Sequence, residues 1–436
     1  VIKGSFTPGG FGTSYASLAE IRRALLVVKD AGKPIHAYLE YPDLRDYYIA
    51  SVADDIALDP NGGLLMPGLA SQPMFYAGLF EKYGIGVQTA RVGKFKSAIE
   101  PYTRGDLSPE NREQLQQILD DLWFNMRDTV ARARDIEPED LQSLLDSGEG
   151  YLADDVLAEG LVDRLVYLDE FLEDIKKATG RGGSSEAFKQ VGLDQYIRQI
   201  SQVSPGAEAE PATDGSENGR VAVVYAEGAI VNGEGQFSDV GGARFGRAIR
   251  KLRQDPDIKA IVLRVNSPGG SAVASDQILR ELSLAAEQMP VVVSMGGYAA
   301  SGGYWISAKG ARIFAESTTI TGSIGVYGML INVEELANDF GLTFDTVKTG
   351  TFADSISIAR PKTAAEMALI QKSVSAIYDD FIELVSTGRD IEEDRVRGIA
   401  EGRVWSGTSA LDLGLVDEIG GLSNAIAYAA EAAGLE

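Results

Sequence analysis

Ser301 has small residues on both sides within the segment Gly296–Ser307, which could present a nucleophile. The pattern predicts a buried strand before Ser301 and a helix after it, an arrangement typical of serine nucleophiles. Glycine and alanine on both sides would let a substrate backbone come close. The free N–H groups of a helix N-terminus could stabilise a developing anion. The alternative is a serine that only caps a helix in a tight turn.

A second glycine-rich turn, Pro268-Gly269-Gly270, follows the continuous apolar run Ala260–Val265. Such a run predicts a buried strand. Two glycines after a proline can present successive backbone N–H groups to an oxyanion, as acyl-transfer chemistry requires. An ordinary strand-to-helix loop could have the same sequence. The turn therefore indicates an oxyanion hole only if a nucleophile lies beside it.

The base for such a serine must come from a short list of residue types. The chain has no Cys and one His, His36. Thiol nucleophiles, disulfides and Cys-ligated metals are therefore excluded, and a Ser-His-Asp triad would depend on His36, which lies in a predicted buried strand. A neutral lysine is the economical alternative. Burial would have to lower its pKa from about 10.4 to about 8. Candidates lie in the segment Arg91–Pro101, which contains Lys94 and Lys96.

An internal repeat relates the two halves of the chain at an offset of 257 residues (304 − 47). It pairs Tyr47-Tyr48-Ile49 with Tyr304-Trp305-Ile306, and Thr89, Gly93 and Phe95 with Thr346, Gly350 and Phe352. At this offset Lys96 falls on Ala353, and Ser301 falls on Leu44. Each half would thus have kept one member of a Ser-Lys pair, which is hard to explain if neither residue has a function.

These residues resemble the signal peptide peptidase A family, the long two-domain form of the S49 serine peptidases. The resemblance extends from about Gly9 to Leu422 and rests on three segments: Gly93–Pro101, Leu263–Ser271 and Ser294–Ser307. In that family the lysine base directly precedes a serine, which selects Lys96 over Lys94. The resemblance implies an α/β fold of two tandem Clp protease/crotonase-like domains built from repeated ββα units.

The resemblance also implies roles for other residues of the site. Ser323 would hydrogen-bond the lysine, and backbone N–H groups of Gly269 or Gly270 and of Gly302 would form the oxyanion hole. Neither a metal nor a cofactor is implied. The substrates would be peptides, chiefly remnants of signal peptides, and the chain would form a homo-oligomer, a tetramer in the long form. Family members usually have a membrane anchor, so membrane association on the periplasmic or thylakoid side is expected, through a segment absent from this chain.

Length and composition predict two domains in a protein of 436 residues. The first, 1–176, carries the lysine and lacks an opening strand, which suggests a trimmed N-terminus. A Gly/Pro/Ser-rich linker at 177–218 separates it from the second, 219–436, which carries the serine. A net charge of −24 disfavours nucleic-acid binding.

Two other functions remain open. A CoA-dependent enzyme of the crotonase fold would share the oxyanion chemistry but would normally draw on carboxylates. A non-catalytic peptide-binding scaffold would keep the fold without turnover. The sequence also leaves open whether Ser301 and Lys96 meet within one chain or between neighbouring chains.

Overall fold

A computed structural model describes residues 1–4, 14–148, 151–181, 190–203 and 219–435. Much of the predicted linker 177–218 lies outside these described residues. The chain forms two compact units: unit 1 comprises Val1–Thr13, Ile21–Gly68 and Arg127–Gly219, and unit 2 comprises Ser14–Glu20, Leu69–Met126 and Arg220–Glu436. The units do not coincide with the two sequence halves, because Leu69–Met126, which contains Lys96, belongs to the compact unit of the second half. The domains 1–176 and 219–436 were predicted from the sequence repeat and not from compactness, and their boundaries remain a prediction.

Strands and helices alternate along much of the described chain. The strands are β1 His36–Leu39, β2 Asp55–Leu58, β3 Gly86–Val92, β4 Arg164–Leu165, β5 Arg220–Glu227, β6 Ile230–Val231, β7 Val240–Gly241, β8 Ile258–Ser267, β9 Val291–Ala300, β10 Arg312–Ala315, β11 Ile320–Gly322, β12 Val326–Asn332, β13 Val404–Ser406 and β14 Glu418–Ile419. The helices are α1 Tyr15–Asp30, α2 Leu44–Ala50, α3 Ala77–Lys82, α4 Glu100–Thr103, α5 Pro109–Arg134, α6 Pro138–Ser147, α7 Ala153–Ala158, α8 Leu168–Ala178, α9 Leu193–Val203, α10 Gly242–Gln254, α11 Ala272–Ala286, α12 Gly302–Trp305, α13 Glu334–Asp339, α14 Ala364–Arg389, α15 Glu393–Ile399, α16 Gly407–Asp412 and α17 Leu422–Ala432. Within the described ranges, none of these helices has the length and apolar character needed to cross a membrane.

Unit 1 is built around a three-stranded parallel sheet in the order β1-β2-β4. The aromatic rings of Tyr38 and Phe171 lie 5.3 Å apart in the core between this sheet and α8. His36, at the start of β1, has its Nδ1 3.0 Å from a carboxylate oxygen of Asp55, which also pairs with Arg164. The single histidine thus belongs to a polar cluster at the edge of this sheet, in keeping with a structural role.

Unit 2 is built around a seven-stranded sheet. Its central strand β9 pairs in parallel with β8, β10 and β11, while β5 extends the sheet beyond β8, β14 beyond β10, and β13 runs antiparallel beside β11. Side chains of a strand point alternately to its two faces. In β8, Leu263 and Val265 pack toward α11 and α14, and Val262 packs toward α17. Because helices cover both faces, apolar side chains point to both faces along the central part of the strand, as the sequence predicted.

The internal repeat is also a structural repeat. Strands β2 and β10 differ by 257 residues (312 − 55) and β4 and β14 by 254 (418 − 164), and both sets occur in the parallel order β1-β2-β4 and β9-β10-β14. The phenol of Tyr47 donates to the backbone carbonyl of Leu161, and at the equivalent place Tyr304 donates to Leu415. The predicted α/β fold with duplicated units is confirmed at this level.

A two-stranded antiparallel ribbon within unit 2 brings the lysine segment to the serine half. Strand β3 pairs with β12, with Val92 opposite Val326 at one end and Gly86 opposite Asn332 at the other. Since the strands are antiparallel, the end of β3 meets the start of β12. Lys96 follows β3 by four residues and Ser323 precedes β12 by three, so the ribbon delivers both residues to one place.

Candidate active site

Ser301 occupies a strained turn between β9 and α12. Its backbone has φ +56° and ψ −119°, a conformation that costs a residue with a side chain about 1–3 kcal/mol. Two backbone hydrogen bonds hold it there: the Ser301 N–H donates to the Gly322 carbonyl at 2.9 Å, and the Trp305 N–H donates to the Ser301 carbonyl at 2.9 Å. These bonds fix the backbone at Ser301, and the predicted strand before it and helix after it are both present.

The backbone around Lys96 is held by a neighbouring turn. The Phe95 N–H donates to the Glu401 carbonyl at 2.9 Å. Gly402 follows at φ +78°, and a Cβ added to it would lie 2.6 Å from the Cβ of Lys96. Only glycine allows this close approach at that backbone conformation. The turn at Gly402 therefore fixes where the lysine side chain begins.

The lysine amine lies in a ring of oxygen atoms. Lys96 Nζ is 3.0 Å from Ser301 Oγ, 2.9 Å from Ser323 Oγ and 2.8 Å from the Ser323 carbonyl. The Lys96 side chain is buried, with 4% of the residue exposed. Desolvation by this burial lowers the pKa of Lys96 to about 7. Ser301, Lys96 and Ser323 are thus brought together within one chain.

Lys94, the other lysine of the segment, is in a different environment. Its side chain is 57% exposed and forms an ion pair with Glu401 at 3.3 Å. Of the two lysines in this segment, only Lys96 has the burial that a neutral amine requires.

The two glycines of the Pro268-Gly269-Gly270 turn differ in what their N–H groups contact. The Gly269 N–H donates to Ser267 Oγ at 3.1 Å, so it is already engaged. A Cβ on Gly302 would lie 3.1 Å from the nitrogen of Gly270, which places these two glycines side by side. Of the predicted alternatives, Gly270 together with Gly302 is therefore better suited than Gly269 to hold an oxyanion.

Gln114 supports the lysine segment, although the sequence did not single it out. Its amide nitrogen donates to the Phe95 carbonyl at 3.0 Å and to Ser97 Oγ at 2.9 Å, and its amide oxygen accepts from the Val404 N–H at 3.3 Å. On α5, Gln114 lies four residues before the buried Ile118 and so on the same face. A polar residue on the same helix face as an apolar stripe was the signal in the sequence that could have singled out Gln114, although not its contacts.

A small cavity of about 60 Å³ opens beside Ser301. Apart from the catalytic candidates, its apolar and aromatic walls are formed by Ala272, Trp305, Val326, Tyr327, Ile377 and Phe381. Such a lining suits an apolar part of a substrate. In the part of the chain that the structure describes, no group of three or more His, Asp or Glu side chains is arranged to hold a metal ion.

Comparison with known proteins identifies the family. The model of peptidase family S49 matches the chain twice, at residues 28–181 and 283–436, which together exceed half its length. The chain belongs to peptidase family S49. The two matches lie one in each half, in agreement with a tandem arrangement.

Bacterial and plant proteins are similar to this chain. The chain is 38% identical to Protease 4 of Salmonella typhi over 98% of this chain and 68% of that protein. It is 34% identical to the chloroplastic serine protease SPPA of Arabidopsis thaliana over 97% of this chain and 61% of that protein. A shorter protein, the putative signal peptide peptidase SppA of Enterococcus faecium, is 33% identical over 51% of this chain and 67% of its own length.

Proposed function

We propose that this chain is a serine endopeptidase in which Ser301 is the nucleophile and Lys96 the general base. The observation that carries the proposal is the 3.0 Å distance between Lys96 Nζ and Ser301 Oγ, at an amine that is buried. A lysine can act as a base only when it is neutral, and the lowered pKa of Lys96 allows a neutral amine near neutral pH. Membership of a peptidase family supports the same reaction.

In the proposed first step, neutral Lys96 takes the proton of the Ser301 hydroxyl while the serine oxygen attacks the carbonyl carbon of a peptide bond. The N–H groups of Gly270 and Gly302 stabilise the negative charge on the carbonyl oxygen. The Lys96 ammonium then protonates the leaving amine, the C–N bond breaks, and an ester to Ser301 remains. In the second step, water gives a proton to Lys96 and attacks the ester. The Lys96 ammonium returns that proton to the departing Ser301 oxygen, which releases the acid and restores both Ser301 and the neutral amine.

The proposed role of Ser323 is to orient the lysine. Its hydroxyl and carbonyl both contact Lys96 Nζ, which leaves the amine aimed at Ser301. Ser323 has φ +52°, and its N–H donates to the Arg403 carbonyl at 2.7 Å, so its position is fixed by the backbone.

Replacing Ser323 by Ala is expected to lower kcat by about 10- to 100-fold, because the amine loses one of the contacts that orient it. KM should change little, since Ser323 does not line the cavity beside Ser301. Steady-state peptide hydrolysis measures both constants. Ser373→Ala is the control, because among the described residues the hydroxyl of this exposed serine hydrogen-bonds only the Leu369 carbonyl of its own helix. Equal loss in both variants, or no loss in Ser323→Ala, would contradict the proposed role.

The dependence of hydrolysis on pH tests the lysine base separately. Because the free amine is the active form, kcat/KM should rise about tenfold per pH unit below the pKa of Lys96 and level off above it. The lowered pKa places this bend at about pH 7. A profile that is flat between pH 5 and 9 would exclude Lys96 as the base.

Hydrophobic peptides, signal-peptide remnants among them, are the proposed substrates. The apolar walls of the cavity beside Ser301 support an apolar side chain near the cleaved bond. The name of the Enterococcus faecium relative supports signal peptides as a natural source. Action near a membrane remains a prediction from the family resemblance.

A homo-oligomer is also proposed. Several large apolar side chains are exposed on one stretch of unit 2: Phe340, Leu342, Phe344, Val347, Ile356 and Ile358. Arg360 fixes part of this stretch by pairing with Asp354 and Glu366. A soluble protein rarely leaves such a surface uncovered, and a second copy of the chain would bury it. The predicted tetramer is one way in which this surface could be covered.

A further inference from the structure

A large cavity of about 610 Å³ lies between α11, α12 and α14 in unit 2. Three carboxylates line it: Asp276 from α11, and Asp380 and Glu383 from α14. Lys309 contributes the one ammonium group of the lining. Within the described residues, none of the three carboxylates forms an ion pair, so the cavity has a surplus of negative charge.

The acidic cavity adjoins the cavity beside Ser301. Both share the side chains of Ala272, Trp305 and Ile377 as walls. Seen from Ser301, the three carboxylates lie beyond these shared lining residues, so a substrate side chain directed that way contacts apolar groups before it reaches a carboxylate. That order matches a lysine or arginine side chain, which has an apolar stem and a charged end.

Trp305 provides an independent indication that a ligand occupies this place. The residue forms the wall between the two cavities, with 6% of it exposed, and its ring packs against Phe381 at a centroid distance of 4.7 Å. Its indole N–H has no acceptor in the described part of the chain. A buried donor without an acceptor is costly and calls for an explanation. A carbonyl group of a bound peptide would supply the missing acceptor.

We propose that Asp276, Asp380 and Glu383 form a specificity site for a basic side chain of the peptide substrate, at a position adjacent to the cleaved bond. The proposal rests on the proposed peptidase function and narrows its substrates to apolar peptides that carry a Lys or Arg beside the cut. The apolar stem contacts Trp305 and Ile377, and the cationic end reaches the carboxylates.

The test compares peptides that differ only in one side chain. The starting peptide is apolar and has a defined cleavage site. Lys, norleucine or Glu replaces, one at a time, the residue directly before or directly after the cleaved bond. The value of kcat/KM is measured for each peptide. Wild type should prefer Lys over norleucine at one of these positions and should reject Glu there. In the triple variant Asp276→Asn, Asp380→Asn, Glu383→Gln, this preference should fall by about tenfold, the combined effect expected of exposed charge pairs.

Matched controls separate the possible failures. Glu287→Gln removes a carboxylate from the end of the same helix region without touching the cavity, and it should leave the preference unchanged. Norleucine peptides should be cleaved equally by wild type and the triple variant. Asp380→Lys should reverse the order of Lys and Glu. If wild type cleaves Lys and norleucine peptides equally at all positions, or if the triple variant keeps the preference, the specificity site is wrong. If wild type cleaves no peptide, the peptidase proposal itself fails.

Discussion

Ser301→Ala and Lys96→Ala are each expected to lower kcat for peptide hydrolysis by about 10⁴-fold or more, which is the loss typical of a removed nucleophile or base. The reason is that the two residues act as one unit: the serine is a poor nucleophile without the amine, and the amine has nothing to activate without the serine. The double variant should therefore be no worse than either single variant. Hydrolysis of an apolar peptide at pH 8, followed by the appearance of new amines, measures this loss.

Lys94→Ala is the matched control for the lysine. It removes the same type of side chain two residues away, at a position that is exposed and paired with Glu401. It should keep most of the activity, and thermal unfolding should show that all variants remain folded. If Lys96→Ala stays active while Lys94→Ala does not, the base has been assigned to the wrong lysine.

The same variants also distinguish the other two functions. A non-catalytic scaffold would bind peptides equally well in wild type and in Ser301→Ala, with no turnover in either. A CoA-dependent enzyme of the crotonase fold would bind acyl-CoA tightly and leave peptides intact. Cleavage by wild type that is lost in Ser301→Ala contradicts both.

The sequence was most informative where backbone geometry restricts residue type. The runs around Ser301 and at Pro268-Gly269-Gly270 pointed to tight turns after buried strands, and β8 and β9 end at those turns. The repeat then related Lys96 to Ala353 and suggested that each half had kept one member of a pair. These inferences depended on local pattern and comparison of the halves, both of which a sequence contains.

Long-range supporting contacts could not be predicted in the same way. Gln114 contacts Phe95 and Ser97 from α5, and Gly402 approaches Lys96 from a turn about 300 residues later (402 − 96 = 306). Neither contact follows from periodicity or motif spacing. The choice between Gly269 and Gly270 likewise depended on one hydrogen bond, from the Gly269 N–H to Ser267, that only coordinates can provide.

Lys96→Met is expected to make the protein more stable near neutral pH while abolishing hydrolysis. The pKa of Lys96 falls from 10.5 to about 7 on folding, so between these values the unfolded chain binds a proton that the folded chain lacks. The free energy of unfolding of the wild type therefore rises with pH in this window, and the cost of burying the lysine is greatest at and below pH 7. Methionine has a similar length and no charge to desolvate, so it should remove this cost.

The gain in stability should depend on pH in a definite way. We expect Lys96→Met to be more stable than wild type by a few kcal/mol at pH 6, with a gain that shrinks by about 1.4 kcal/mol per pH unit above pH 7. Denaturant unfolding at pH 6, 7, 8 and 9 measures the difference. Lys94→Met should show no such trend, because that side chain is largely exposed. Two results would contradict this expectation: a Lys96→Met variant that is less stable than wild type at pH 6, and a stability difference that does not change with pH. Either result would mean that burial of Lys96 does not destabilise the folded protein. The base would then have to be activated in some other way. The expected result would instead show that the protein sacrifices stability at this position to keep an amine that can accept a proton.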